Sequence, residues 1–110
     1  MSANLITDYD QPKDILEQKV KETSGLVVVD FGAPWCPDCR RLSAGLPGLA
    51  QKNPDVLFLC INVDKVPNTR ETFDIKHIPD VRFYKGNLES LGSIVEGSAA
   101  QVQAKINELK

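Results

Sequence analysis

The chain has 110 residues, 25% of them charged, and a net charge of −2, the make-up of one ordinary globular domain with room for a sizeable core. That charge is too small to imply nucleic acid or an acidic membrane surface, and no basic run interleaves with aromatics. No apolar stretch approaches the ~20 residues that cross a bilayer, and Met1 to Asp10 lack the basic start and apolar run of a secretory signal, so the expectation is a monomeric cytoplasmic protein with one domain over residues 1–110.

Leu5-Ile6 predicts a short first strand. Asp10, or the Gln11-Pro12 pair, opens a helix with Ile15, Leu16 and Val20 on its inner face and Lys19, Lys21 and Glu22 in solvent; Ser24-Gly25 stops it. Leu26 to Phe31 is short, β-branched and nearly all apolar, which reads as a strand buried on both faces. Gly32-Ala33-Pro34 breaks it. A helix follows from Cys36 to about Lys52, with Leu42, Leu46, Leu49 and Ala50 inward, and Gly45, Pro47 and Gly48 predict a kink or interruption. Val56 to Ile61 repeats the buried-strand pattern. A short helix around Thr69 to Phe73, a strand over Val81 to Tyr84, a turn at Gly86-Asn87 and an edge strand over Leu91 to Val95 come next. Ser98 caps a last helix whose inner face is Val102, Ile106 and Leu109. Alternation first and a hairpin last imply an α/β fold, a central mixed sheet with helices on both faces.

Trp35-Cys36-Pro37-Asp38-Cys39 stands where a buried strand ends and a helix begins. The first turn of a helix offers unpaired N–H groups and the positive end of its dipole, so a sulfur placed there ionises more easily. Two intervening residues bring a second sulfur within disulfide reach. Cys36 is then the attacking thiol and Cys39 the one that resolves the mixed disulfide. Asp38 puts a negative charge near the Cys36 sulfur and should disfavour its thiolate. A zinc reading needs two more ligands. Cys60 and His77 complete a Cys₃His set by count, but Cys60 lies in an apolar strand without partner spacing and reads as a small buried hydrophobe. His77 reads as a solvated loop residue. Asp30, a carboxylate amid Val27, Val28, Val29 and Phe31, is costly unless neutralised or paired. It reads as an acid of raised pKa that relays a proton to or from the Cys39 sulfur.

With Val28 to Cys39 (Val-Val-Asp-Phe-Gly-Ala-Pro-Trp-Cys-Pro-Asp-Cys), Asn62-Val63-Asp64, Ile78-Pro79 followed by Phe83 to Asn87, and Gly97, the sequence resembles the thioredoxin family over nearly its whole length. The resemblance implies a dithiol–disulfide oxidoreductase that reduces protein disulfides without a bound metal or organic cofactor, recycled by an NADPH-linked flavin reductase. It implies that Cys36 is the exposed nucleophile and Cys39 the buried one, that Asp30 is the buried acid behind them, and that Pro79 is a cis-proline against the active site. Trp35, Ile78 and Gly97 match positions that flank the substrate groove. Several residues depart from the family pattern: Pro37-Asp38 for Gly-Pro, Gly32 for a tryptophan, Cys60 for a lysine near the buried acid, Ala44 for the helix proline with Pro47 a turn later, and Asp80 for a threonine after the cis-proline. These bear on redox potential and substrate choice. A glutaredoxin-like reductase is the second enzymatic reading, because Cys-Pro-x-Cys occurs there; the N-terminal strand and helix and Trp35 argue against it. A binding module using the groove around Trp35 and Pro79 without turnover is the rival from another class.

Overall fold

A computed structural model describes residues 3–110; Met1 and Ser2, the start of the expected domain, lie outside the described residues. The elements are β1 (Leu5–Ile6), α1 (Lys13–Glu22), β2 (Val27–Gly32), α2 (Pro37–Lys52), β3 (Leu57–Asn62), α3 (Thr69–Thr72), β4 (Asp80–Tyr84), β5 (Ser93–Val95) and α4 (Ala99–Leu109). The sheet runs β1-β3-β2-β4-β5. β3 is parallel to β1 and β2, while β4 is antiparallel to both β2 and β5. This is the mixed α/β sheet that the sequence predicts.

β2 lies at the centre with every residue buried, and its period-two alternation sends side chains to two apolar clusters. Val28, Phe58, Val81 and Phe83 meet Leu42, Leu46 and Leu49 of α2 and Val102 and Ile106 of α4. Val27, Val29, Phe31, Leu59 and Ile61 meet Leu16 and Val20 of α1 on the other face. Asp30 points to the α2 side because it keeps step with Val28.

Three expectations are corrected. Ile15 is 43% exposed, because it stands a ~100° step from Leu16, away from the stripe that Leu16 and Val20 share. Of the two starts offered for α1, the Gln11-Pro12 pair holds and Asp10 does not: Pro12 is the N-cap, and Asp10 Oδ1 instead accepts the backbone N–H of Asn62 at 2.7 Å. Helix α2 runs unbroken through Pro47. A helix-interior proline costs about 3 kcal/mol, whereas burying Leu42, Leu46 and Leu49 on the sheet returns roughly 2 kcal/mol each. Pro47 and Ser43 are both exposed, so the missing hydrogen bond falls on the solvated side.

At Gly45, α2 crosses α4 so closely that a Cβ there would stand 2.8 Å from Ala99 Cβ. The start of α4 is fixed by a capping box, in which Ser98 accepts from the Gln101 N–H and the Gln101 side chain accepts from the Ser98 N–H.

Candidate active site

The two cysteines lie at the C-terminal end of β2, where the chain turns into α2. Cys36 is the N-cap of α2 and Pro37 its first residue, a position where the missing proline N–H costs nothing. The N–H of Cys39 donates to Cys36 Sγ at 3.3 Å, so the cap side chain is a sulfur in place of the usual oxygen. All three cysteines are free, which makes this the dithiol form. Cys36 is less open than expected, 7% exposed against 3% for Cys39. Its inward turn as cap, with its S–H donating to the Ile78 carbonyl at 3.8 Å, accounts for this.

The Ile78–Pro79 peptide bond is cis, and Pro79 is buried beside the site. Glu96 donates its N–H to the Pro79 carbonyl at 2.7 Å, which ties the β5–α4 connection to the same spot. Gly97 follows and shares a shallow groove with Asp38, Arg41 and Leu42 at the start of α2. His77 is exposed, its Nδ1 3.8 Å from Glu96 Oε1, and it stays on the rim.

Below the sulfurs lies Asp30, 5% exposed. Burial pushes its carboxyl up to about 7. A Cβ added at Gly32 would meet Cys39 Sγ at 3.1 Å and Asp30 Oδ1 at 3.7 Å, so both face one small space beside that glycine. Any larger residue at position 32 would crowd that space. Cys39 is pushed up to about 12 by burial, by the hydrogen bond to Cys36 and by nearby negative charge. Cys60 stands abreast of Asp30 in the sheet register, half-buried and also raised to about 12, by burial first and then by the Asp30 charge.

Two contacts that matter here were not foreseen from the sequence. Asp64, which the sequence offers only as part of the Asn62-Val63-Asp64 motif, accepts the Trp35 indole N–H. Arg41 Nη1 donates to Asp38 Oδ1 at 2.6 Å and offsets the charge that the motif brings to the sulfur. The second has a local signal, the i,i+3 spacing on one helix face; the first joins residues 29 apart and has none.

The family model described as Thioredoxin matches residues 9–108. A thioredoxin H-type of Brassica oleracea is 35% identical over 86 residues, which is 78% of this chain and 69% of the relative. A thioredoxin of Geodia cydonium is 32% identical over 107 residues, 96% of this chain and 100% of the relative. Among solved structures, Trichomonas vaginalis thioredoxin superposes with a TM-score of 0.86 at 32% identity, covering 96% of this chain and 97% of that one.

Proposed function

This chain belongs to the thioredoxin family and is a thiol–disulfide oxidoreductase that acts through Cys36 and Cys39, and on that premise we propose that Cys36 attacks protein disulfides while Asp30 serves as the acid–base for Cys39. The observation that carries this order is the Cys39 N–H on Cys36 Sγ at the start of α2. It stabilises negative charge on Cys36, together with the helix dipole. Cys39, with its thiol raised to about 12, is protonated at neutral pH and cannot attack first.

In this reading the Cys36 thiolate attacks one sulfur of the substrate disulfide. The S–S bond breaks, the other substrate sulfur leaves as a thiolate that takes a proton from solvent, and Cys36 is held in a mixed disulfide. Cys39 then attacks Cys36 Sγ and gives its proton to the Asp30 carboxylate. The second substrate sulfur leaves as a thiolate and is protonated from solvent, two electrons have passed to the substrate, and Cys36–Cys39 is the disulfide. Burial and the nearby negative charge hold the proton on Cys39 more tightly than on the Asp30 carboxyl. Proton transfer therefore accompanies the attack instead of preceding it. Trp35, the Ile78 carbonyl, Pro79 and Gly97 form the substrate wall, and Pro37 and Asp38 modulate the sulfur.

We further assign recycling to an NADPH-linked flavin reductase, action as one domain over residues 1–110, and a reducing, cytoplasmic setting. A cysteine count of three, too few for a stapled framework and with Cys36 and Cys39 in close spacing, supports that setting. Among the described residues no helix is long and apolar enough to cross a membrane. The order of attack is tested by trapping: Cys39→Ser holds substrate proteins as mixed disulfides and Cys36→Ser holds few. Equal trapping by the two variants contradicts it.

A further inference from the structure

A cavity of about 400 Å³ opens behind the dithiol, and neither Trp35 nor Pro79 touches it. Asp30, Cys39 and Cys60 form its deep wall. Asp8, Asp10, Arg40 and Lys65, all half-buried or exposed, form its rim. Asp30 Oδ1 is the buried side-chain oxygen that lacks a hydrogen-bond partner among the described residues. An unpaired buried acceptor costs about 1–3 kcal/mol, and more when charged.

The charged neighbours do not satisfy it. Arg40 donates to the Pro34 carbonyl at 3.0 Å. Lys65 stands 3.9 Å from Asp10 Oδ2 with its side chain 67% exposed. Asp8 and Asp10 add negative charge at the mouth, and the thiols of Cys39 and Cys60 are neutral at ordinary pH. The deep wall thus offers one carboxylate and only the weak S–H donors of Cys39 and Cys60, while the hydroxyl and amide groups of Thr7, Ser43 and Asn62 stand on exposed or half-buried residues of the lining. Among the described residues no three His, Cys, Asp or Glu side chains are grouped to hold a metal ion. Ala33, Pro34 and Ile61 supply an apolar flank instead. The space exceeds the ~30 Å³ share of one water many times over.

We propose that this cavity is a binding site for a small primary alkylammonium ion, whose N–H groups meet the Asp30 carboxylate and whose carbon chain lies against Ala33, Pro34 and Ile61. The cation binds the ionised carboxyl and not the neutral one, so occupancy and Asp30 ionisation favour each other. The inference stands apart from the order of thiol attack, because its test reads a carboxyl and not turnover.

The Asp30 carboxyl is titrated by NMR in the full chain, in ethylammonium chloride and in tetramethylammonium chloride at equal ionic strength. At ten times its dissociation constant, ethylammonium should lower the midpoint by about one pH unit. Tetramethylammonium, which has no N–H, should leave it in place. At pH 8.5 ethylammonium should raise the thermal midpoint of the parent and not that of Asp30→Asn. In Cys60→Lys an ammonium tethered abreast of Asp30 should abolish the ethylammonium response. Equal response to both salts, no response to either, or a response that survives in Asp30→Asn overturns the site, and the parent titration alone suffices if a variant does not fold.

Discussion

Trp35 donates its indole N–H to Asp64 Oδ2 over 2.6 Å, so a side chain that is 61% exposed is nevertheless held in one orientation. Arg70 Nη2 lies 3.6 Å from the other Asp64 oxygen and steadies the acceptor. The indole adjoins Cys36 in the chain, and in the proposed reading it is the wall that an incoming disulfide meets.

Asp64→Ala should release that wall. The bond is exposed, so the stability loss should stay below about 1 kcal/mol. KM for a protein disulfide should rise a few-fold with kcat little changed. Trp35 is the single tryptophan of the chain, so its fluorescence anisotropy reports the released indole directly. Parent-like anisotropy and KM would sink the assignment.

Asp30 should make the protein less stable as pH rises. Below pH ~4 its carboxyl is neutral in the folded and unfolded chain alike. Between there and about 7 the unfolded chain ionises and the folded one does not, so stability falls; above about 7 both are ionised and the loss is complete. The full loss is on the order of 4 kcal/mol. Asp30→Asn should flatten this slope in denaturant titrations taken from pH 4 to 9. It should also slow disulfide reduction by about a hundredfold, and should remove the rise in parent turnover through pH 7. A variant with the parent's pH slope and turnover rules out both roles.

Asp38 and Arg41 should pull the dithiol couple in opposite directions. Paired at 2.6 Å, they present little net charge to Cys36. Asp38→Asn leaves the guanidinium alone, favours the thiolate and makes the potential less negative. Arg41→Gln leaves the carboxylate alone and does the reverse. A unit charge about 7 Å away at an effective dielectric of ~60 is worth ~0.8 kcal/mol, or about 15 mV for a two-electron couple. Equilibration against glutathione buffers measures it, and 1 M salt should shrink both shifts. Shifts of the same sign leave Asp38 as a helix-start residue only.

Asp80, which follows the cis-proline, is 5% exposed at its side chain and pairs with Arg82, its Oδ2 3.0 Å from Nη2 and its Oδ1 3.2 Å from Nε. The guanidinium carbon lies 5.9 Å from the Phe31 ring centre. Removing one partner of a buried pair strands the other charge, so Asp80→Asn should cost about 3 kcal/mol or more. Replacing both residues by apolar ones of similar volume should cost less than the single change. A double variant as unstable as the sum of its parts would show that the pair is not acting as one.

Much of this was legible beforehand because strand and helix periodicity is a local signal. Leu26 to Phe31 and Val56 to Ile61 read as buried strands from short apolar runs alone, each displaced by one residue from the strand observed, and Ser98 read as a cap. β5 begins at Ser93 and not at Leu91, because Gly92 takes φ +151° and ends the loop there. The position of Cys36 at a helix start was visible, but its burial was not. That burial depends on Ile78, which the fold brings from the far side of the sheet. The cavity behind Asp30 was equally invisible, since residues 7–10, α2 and the end of β3 meet only in three dimensions.

The near-contact of Gly45 with Ala99 makes a pivot of that crossing. Cys36 lies about 13 Å up the same helix at ~1.5 Å per residue, so a shift of α2 at the crossing is felt at the reactive sulfur. A methyl group added at position 45 must push α4 away or tilt α2, and a tilt is delivered to the sulfur. The room between Gly45 and Ala99 therefore bears on where the dithiol sits, and a larger residue at either position presses on the other.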